Sequence, residues 1–270
     1  MNQKAIGVFD SGLGGLTAAR QLRRLMPSEN IIYFGDTARV PYGNRSRETL
    51  LRYARQDMRF LSQFDLKAVV IACGTVSTNC LEALREENGL PIIGVVEPAV
   101  RRAAELTRSK KVGLVATRAS VGSGAYERAF HGADPALEVH ALACPLFVPL
   151  VEEGRCRPGD VVIETVAREY LTPLKEVGID TLVLGCTHYP LLEEVIGAVM
   201  GPDVALVDVG AEAARACREL LAERDALAED REGSARYYTS DRAADFQRLS
   251  ALFLGEDAGG LVEHIDISKY

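Results

Sequence analysis

A chain of 270 residues, 47% hydrophobic and 26% charged, has the composition of a globular protein with one or two domains. Its net charge of −7, without a basic block, does not favour nucleic acid as a partner. No apolar run approaches the roughly 20 residues of a membrane helix, and the start, MNQKAIGVFDSG, lacks the pattern of a secretory signal. We therefore expect a cytoplasmic protein with no membrane partner.

The first hundred residues alternate short apolar runs with amphipathic patterns. Branched apolar residues predict buried parallel strands at 5–9, 30–34, 68–72 and 91–96. Apolar residues at helical spacing predict helices at 16–25 and 48–61. This alternation predicts an α/β fold in which helices cover both faces of a parallel sheet.

The pattern then begins again in the same order. KVGLVAT (111–117) resembles KAIGVFD (4–10), and the other three strands are matched in turn by the runs 137–144, 181–188 and 204–210. The spacing is nearly kept, because Cys186 follows Cys73 by 113 residues and Thr117 follows Asp10 by 107. We infer an internal duplication. It predicts two pseudo-symmetric, flavodoxin-like three-layer α/β/α domains with parallel sheets and an active site in the cleft between them.

The last sixty residues depart from this repeat. They predict a helix at 211–227, a turn and short strand within 231–241, a helix at 243–255 and a final strand at 261–267. We expect this tail to pack against the first half. The first domain should then comprise residues 1–97 and 208–270, and the second residues 98–207.

Chemically functional side chains follow the predicted strands, at the edge where open parallel sheets bind ligands. In the first half these are Asp10, Ser11, Asp36, Tyr42, Gly43, Cys73, Gly74 and Thr75, and in the second half Thr117, Cys186, Thr187 and His188. Each half offers one cysteine from the equivalent strand, so the two thiols should face each other across the cleft. The other four cysteines are interpreted as small buried hydrophobic residues.

Two opposed thiols suit a racemase, which removes a proton from one face of a carbon and returns one to the opposite face. A free thiol has a pKa of about 8.5, so each cysteine can serve as thiolate or as thiol. Because helix N-termini present unpaired N–H groups, we expect the strand-to-helix junctions to lower the thiol pKa. Asp10 and His188 are placed to assist the proton movement.

Other interpretations stay open at this point. Asp10 could cap the helix near Leu16, and His188 could be structural. A cysteine hydrolase would use one thiol with His188 as its base, leaving the second cysteine unexplained. A two-lobed binding protein would close on its ligand without chemistry.

No cofactor is expected from the motifs. The run DSGLGG has Thr17 where a dinucleotide loop needs glycine, and it lacks the Gly-Lys of a phosphate loop. No lysine follows a predicted strand, as a pyridoxal phosphate site would require. The histidines show no metal-ligand spacing, so no metal is expected either.

Four runs resemble the signature sequences of glutamate racemase, a cofactor-independent family of the aspartate/glutamate racemase superfamily. They are FDSGLGGL (9–16), GDTARVPYG (35–43), ACGTVSTN (72–79) and GCTHYPLL (185–192). The resemblance implies that Cys73 acts on D-glutamate and Cys186 on L-glutamate, with Asp10 and His188 assisting. The substrate contacts that it implies are Asp10, Ser11, Tyr42, Gly43, Gly74, Thr75, Thr117, Thr187 and His188.

The same resemblance carries further expectations. It implies an acidic residue at Glu152 that supports the histidine, a homodimer, and a supply of D-glutamate for peptidoglycan. An aspartate racemase with the same catalytic groups is the alternative. One departure concerns Gly74, where the family usually has asparagine, so a side-chain contact with the substrate is expected to be lost.

Overall fold

Two parallel sheets organise the molecule. The computed structural model describes residues 4–229, 232–255 and 262–270. Its strands are β1 Ala5–Asp10, β2 Ile31–Gly35, β3 Leu66–Ile71, β4 Ile92–Ile93, β5 Lys111–Ala116, β6 Glu138–Ala143, β7 Thr181–Leu184, β8 Ala205–Asp208, β9 Ala235–Thr239 and β10 Val262–His264. Its helices are α1 Leu16–Leu25, α2 Arg47–Leu61, α3 Gly74–Asn79, α4 Leu81–Glu87, α5 Val96–Leu106, α6 Arg118–Gly122, α7 Ala125–Ala133, α8 Phe147–Glu152, α9 Val161–Val177, α10 Glu193–Met200, α11 Val209–Glu223 and α12 Ala243–Leu254.

The strand order confirms the duplication. One sheet has the order β10-β9-β2-β1-β3-β4 and the other β6-β5-β7-β8, with parallel pairing throughout the described strands. The segment β2-β1-β3-β4 is equivalent to β6-β5-β7-β8, which is the order of a flavodoxin-like sheet. The predicted two-part α/β architecture is therefore correct. We propose domain boundaries near residues 97 and 208, between the last strand of one sheet and the start of the next segment.

Helices α1, α5 and α11 connect the two halves. Helix α11 packs against both α1 and α5, and apolar residues of both sheets belong to one continuous buried cluster. The strands form as expected, because every residue of β1 and β3 is buried and most are branched or apolar. Within the described ranges, no helix is both long enough and apolar enough to cross a membrane.

Some boundaries differ from the prediction. The strand expected at 91–96 is only Ile92–Ile93, because α5 begins at Val96 and places Pro98 in its first turn, where proline is tolerated. Helix α11 begins two residues early, since the Asp208 carboxylate caps it by accepting from the Gly210 and Ala211 N–H groups.

The tail returns to the first half, as predicted. Strand β9 pairs with β2 and β10 pairs with β9, so the tail extends the first sheet at one edge. The predicted final strand is shorter than expected, at Val262–His264. Its predicted first residue, Leu261, lies outside the described residues, as does Arg231 at the start of the predicted turn.

Candidate active site

A cavity of about 440 Å³ lies where the carboxyl ends of the two sheets meet. This volume is typical of sites for small molecules. The first half lines it with Ser11, Gly12, Val40, Pro41, Tyr42, Gly43, Asn44, Cys73, Gly74 and Thr75. The second half contributes Thr117, Arg118, Pro145, Val148, Pro149, Glu152, Gly185, Cys186, Thr187, His188 and Tyr189. Both cysteines that end equivalent strands are thus brought to one cavity.

Cys73 precedes α3 as its N-terminal cap residue, just beyond β3. It is 4% exposed, and its thiol donates a hydrogen bond to the Ser11 hydroxyl at 3.4 Å. Burial and the nearby Asp10 carboxyl raise the pKa of this thiol to about 12. The expectation of a lowered pKa at this junction was wrong, because the N–H groups of Val76 and Ser11 favour the thiolate less than burial disfavours it. At neutral pH Cys73 is therefore a neutral thiol.

Cys186 has a different environment. It follows β7, is 6% exposed, and its Sγ lies 4.0 Å from Nδ1 of His188. The other ring nitrogen of His188, Nε2, lies 3.1 Å from Oε1 of Glu152. Burial opposes protonation of the imidazole, but Cys186 and Glu152 outweigh it and raise the pKa of His188 to about 10. At neutral pH a cation therefore lies beside the second thiol, with Glu152 on its far side.

Asp10 lies behind the cavity wall and does not line the cavity. It is 1% exposed, and its Oδ2 accepts a hydrogen bond from the Gly12 N–H at 3.0 Å. Its Oδ1 has no hydrogen-bond partner among the described residues. Burial raises the pKa of Asp10, and the charge of His188 opposes that rise. The cap residue of α1 is Gly15, and the backbone N–H groups of Ser11, Gly12 and Gly15 lower the pKa of Asp10 less than burial raises it.

Tyr42 lines the cavity but directs its hydroxyl away from it. The hydroxyl donates to Asp36 and lies 3.3 Å from Oδ2 of Asp57, both buried carboxyl groups. Arg39 bonds to both carboxylates and closes this network. Tyr42 therefore anchors the turn Tyr42–Asn44, all three residues of which line the cavity.

Several contacts join the two halves at the cavity. The hydroxyls of Thr75 and Thr117 lie 3.1 Å apart, and a Cβ on Gly43 would lie 3.3 Å from Cβ of Thr117. The Thr17 hydroxyl of α1 donates to the Thr187 carbonyl at 2.9 Å. These contacts hold the predicted binding residues of both halves close together.

Gly74 is required by a close approach of the backbone. A Cβ at this position would lie 2.7 Å from the Gly185 carbonyl oxygen. Real Cβ atoms do not approach backbone this closely, so any side chain would displace the segment that carries Cys186. The glycine at position 74, where the family usually has asparagine, therefore allows the ends of β3 and β7 to approach each other closely.

Some cavity residues were missed from the sequence. They are Gly12, Val40, Pro41, Asn44, Arg118, Pro145, Val148, Pro149, Gly185 and Tyr189. Arg118 directly follows Thr117, a predicted strand-end residue, and the segment 145–149 follows β6, a strand from which no site residue was predicted. Within the described ranges, no three His, Cys, Asp or Glu side chains are grouped so that they could hold a metal ion.

Comparison with known proteins agrees with this geometry. The family model for Asp/Glu/hydantoin racemase matches residues 17–217. The chain is 47% identical to a glutamate racemase of Geobacter metallireducens, over 97% of each chain. The chain belongs to the Asp/Glu/hydantoin racemase family. This racemase is also 46% identical to a glutamate racemase of Neisseria meningitidis serogroup A, over 94% of its own length and 93% of the relative's.

Solved structures of glutamate racemases have the same fold as this racemase. A glutamate racemase from Bacillus anthracis superposes with a TM-score of 0.93 at 37% identity, covering 98% of each chain. One from Francisella tularensis, solved in complex with D-glutamate, superposes with a TM-score of 0.92 at 36% identity, covering 100% of each. An aspartate racemase homologue from Pyrococcus horikoshii has a TM-score of 0.57 at 16% identity and shares the fold alone.

Proposed function

We propose that this racemase interconverts L- and D-glutamate without a cofactor, through two thiols that act as acid and base. The observation that carries the proposal is the presence of Cys73 and Cys186, from equivalent strand ends, in one cavity. Glutamate is supported as the substrate by the relatives named glutamate racemase and by the neighbour solved with D-glutamate.

The two thiols have different surroundings, and the proposed reaction is described in the direction from L-glutamate to D-glutamate. In this proposal Cys186, whose Sγ lies 4.0 Å from Nδ1 of His188, is the base that removes the Cα proton of L-glutamate. Cys73, held neutral by burial, donates its proton to the opposite face. After one turnover Cys186 carries the proton and Cys73 is the thiolate, which is the form that removes the Cα proton of D-glutamate. General acids and bases must lie within about 3 Å of the proton that they move, so one fixed thiol cannot serve both faces.

The remaining polar groups bind the substrate in this proposal. Asp10 would assist from behind the cavity wall, next to Ser11, where burial raises its pKa. Hydroxyls and backbone N–H groups would bind the carboxylates, because these donors stand at the starts of short helices and turns that end in the cavity. They belong to Ser11, Tyr42, Gly43, Gly74, Thr75, Thr117 and Thr187. Glu152 orients His188 through its 3.1 Å contact with Nε2.

The biological setting is part of the same proposal. It places the enzyme in the cytoplasm as a homodimer, with D-glutamate as a precursor for peptidoglycan. Size-exclusion chromatography with light scattering would measure the assembly. Growth of a depleted strain with and without added D-glutamate would test the cell-wall role.

The decisive experiment follows circular dichroism of pure L-glutamate with no added cofactor. The wild-type protein should bring the signal to zero, whereas Cys73→Ala and Cys186→Ala should not. Cys156→Ala is the matched control, because Cys156 is buried but does not line the cavity. Full activity in either cavity variant would contradict the two-base mechanism. L-aspartate in the same assay measures the alternative substrate.

Heavy water gives a second readout of the same mechanism. Early D-glutamate should carry deuterium at Cα, while the recovered L-glutamate stays protonated, because each enantiomer meets its own base. Early product that keeps its original proton, alongside exchanged starting material, would indicate a single base.

A further inference from the structure

Arg118 is a cavity residue for which the two-thiol mechanism gives no role. It is the first residue of α6, directly after Thr117, whose hydroxyl caps that helix by accepting from the Ser120 N–H. Its side chain is exposed and lines the cavity, and it is the single Lys or Arg among the lining residues of the described chain. In that described part it forms no ion pair or side-chain hydrogen bond.

A positive charge in the cavity would favour the binding of an anionic substrate. The chain carries a net charge of −7, and glutamate at neutral pH brings two carboxylates and one ammonium group. The other cation of the lining is His188, whose charge already faces Glu152 at 3.1 Å. The guanidinium of Arg118 is therefore the positive charge in the lining that is left for an incoming anion.

The depth of the two thiols in the cavity indicates which carboxylate of the substrate Arg118 would bind. The reacting carbon must lie between Cys73 and Cys186, which are 4% and 6% exposed. Arg118 is exposed, so it stands on the side of the cavity nearer to solvent. The end of glutamate farthest from its Cα is the side-chain carboxylate, so with Cα between the buried thiols this end would lie on the side of Arg118.

The backbone of Arg118 is well placed for this contact. Thr117 touches both Thr75 and Gly43 of the first half, and α6 packs against the turn Tyr42–Asn44. The root of the side chain is thus fixed beside binding residues of both halves, while its guanidinium remains free to pair with a carboxylate through two parallel hydrogen bonds.

We propose that Arg118 is a specificity-determining residue that binds the side-chain carboxylate of the substrate and so selects glutamate over uncharged amino acids of the same size. The proposal rests on the proposed glutamate racemase activity and deepens it. A residue in this role acts on substrate binding, while the proton transfers between Cα and the thiols proceed as before.

The test compares Arg118→Gln with Arg157→Gln. Both variants remove one positive charge, but Arg157 is exposed and lies outside the cavity lining. We expect Arg118→Gln to raise KM for L-glutamate about tenfold or more, as loss of a charge-assisted hydrogen bond does, with kcat within about threefold of wild type. Arg118→Lys should be intermediate, and Arg157→Gln unchanged.

Glutamine as a competitive inhibitor supplies the readout of specificity. Because its side chain is uncharged, its inhibition constant should be nearly equal in the wild-type and Arg118→Gln proteins. A KM for glutamate within about twofold of wild type would overturn the proposal, and so would equal weakening of glutamate and glutamine. A wild-type protein that leaves L-glutamate unchanged would instead overturn the proposed function, and this inference with it.

Discussion

Replacing His188 with asparagine tests the asymmetry between the two thiols. The imidazole Nδ1 lies 4.0 Å from Sγ of Cys186. Two unit charges about 4 Å apart interact by about 4 kcal/mol at an effective dielectric constant of about 20. In the proposed mechanism the Cys186 thiolate charge is partly neutralised in the transition state, so loss of the imidazolium should raise the barrier by about half of this energy, about 2 kcal/mol. We expect kcat/KM to fall about 30-fold, with a ceiling of about 10³-fold.

Deuterium isotope effects show which proton transfer is affected. L- and D-glutamate have equal free energies in water, so kcat/KM must fall equally in both directions. With Cα-deuterated L-glutamate the isotope effect should increase in His188→Asn, because the slowed step breaks that bond. With deuterated D-glutamate it should decrease, because Cys73 breaks that bond in a step that no longer limits the rate. Equal isotope effects, or a fall below about threefold, would refute the reasoning.

Stability against pH provides an independent check on the charge of His188. The pKa of His188 is raised above its ordinary value of 6.5 to about 10. The stability that the cation contributes is therefore complete below pH 6.5 and is lost as pH rises to about 10. The difference in melting temperature between wild type and His188→Asn should shrink over this interval. His131→Asn, on the exposed side of α7, is the matched histidine control.

Two further predictions concern packing. Gly74→Asn should lower kcat about tenfold or more, because its Cβ would lie 2.7 Å from the Gly185 carbonyl and displace Cys186; a lower KM with unchanged kcat would contradict this. Lys67→Met should lower the free energy of unfolding, measured in urea, by about 3–5 kcal/mol, because it removes the ammonium group that lies 2.6 Å from the buried carboxylate of Glu29. Adding Glu29→Gln should recover part of the lost stability. A Lys67→Met protein as stable as wild type would show that the buried pair is not stabilising.

Local pattern was enough to predict the α/β fold and to bring the two strand-end cysteines to one cavity. Runs of branched apolar residues predict buried strands whatever their neighbours, and their repeated order predicted the two equivalent sheets. Parallel strands end at a common edge, so cysteines that follow equivalent strands had to approach one another. Cys73 and Cys186 could therefore be paired from their positions in the chain alone.

Burial and long-range contacts decided the rest. The sequence placed Cys73 at a helix start, which favours a thiolate, but only the folded chain buries it beside Asp10 and raises its pKa. The charge of His188 depends on Glu152, which lies 36 residues earlier in the chain. The need for glycine at position 74 arises from the nearby Gly185 carbonyl, and the proposed role of Arg118 arises from its place in the cavity that both halves enclose. The strength of an electrostatic interaction depends on solvent exposure and on distance, and the tertiary structure sets both.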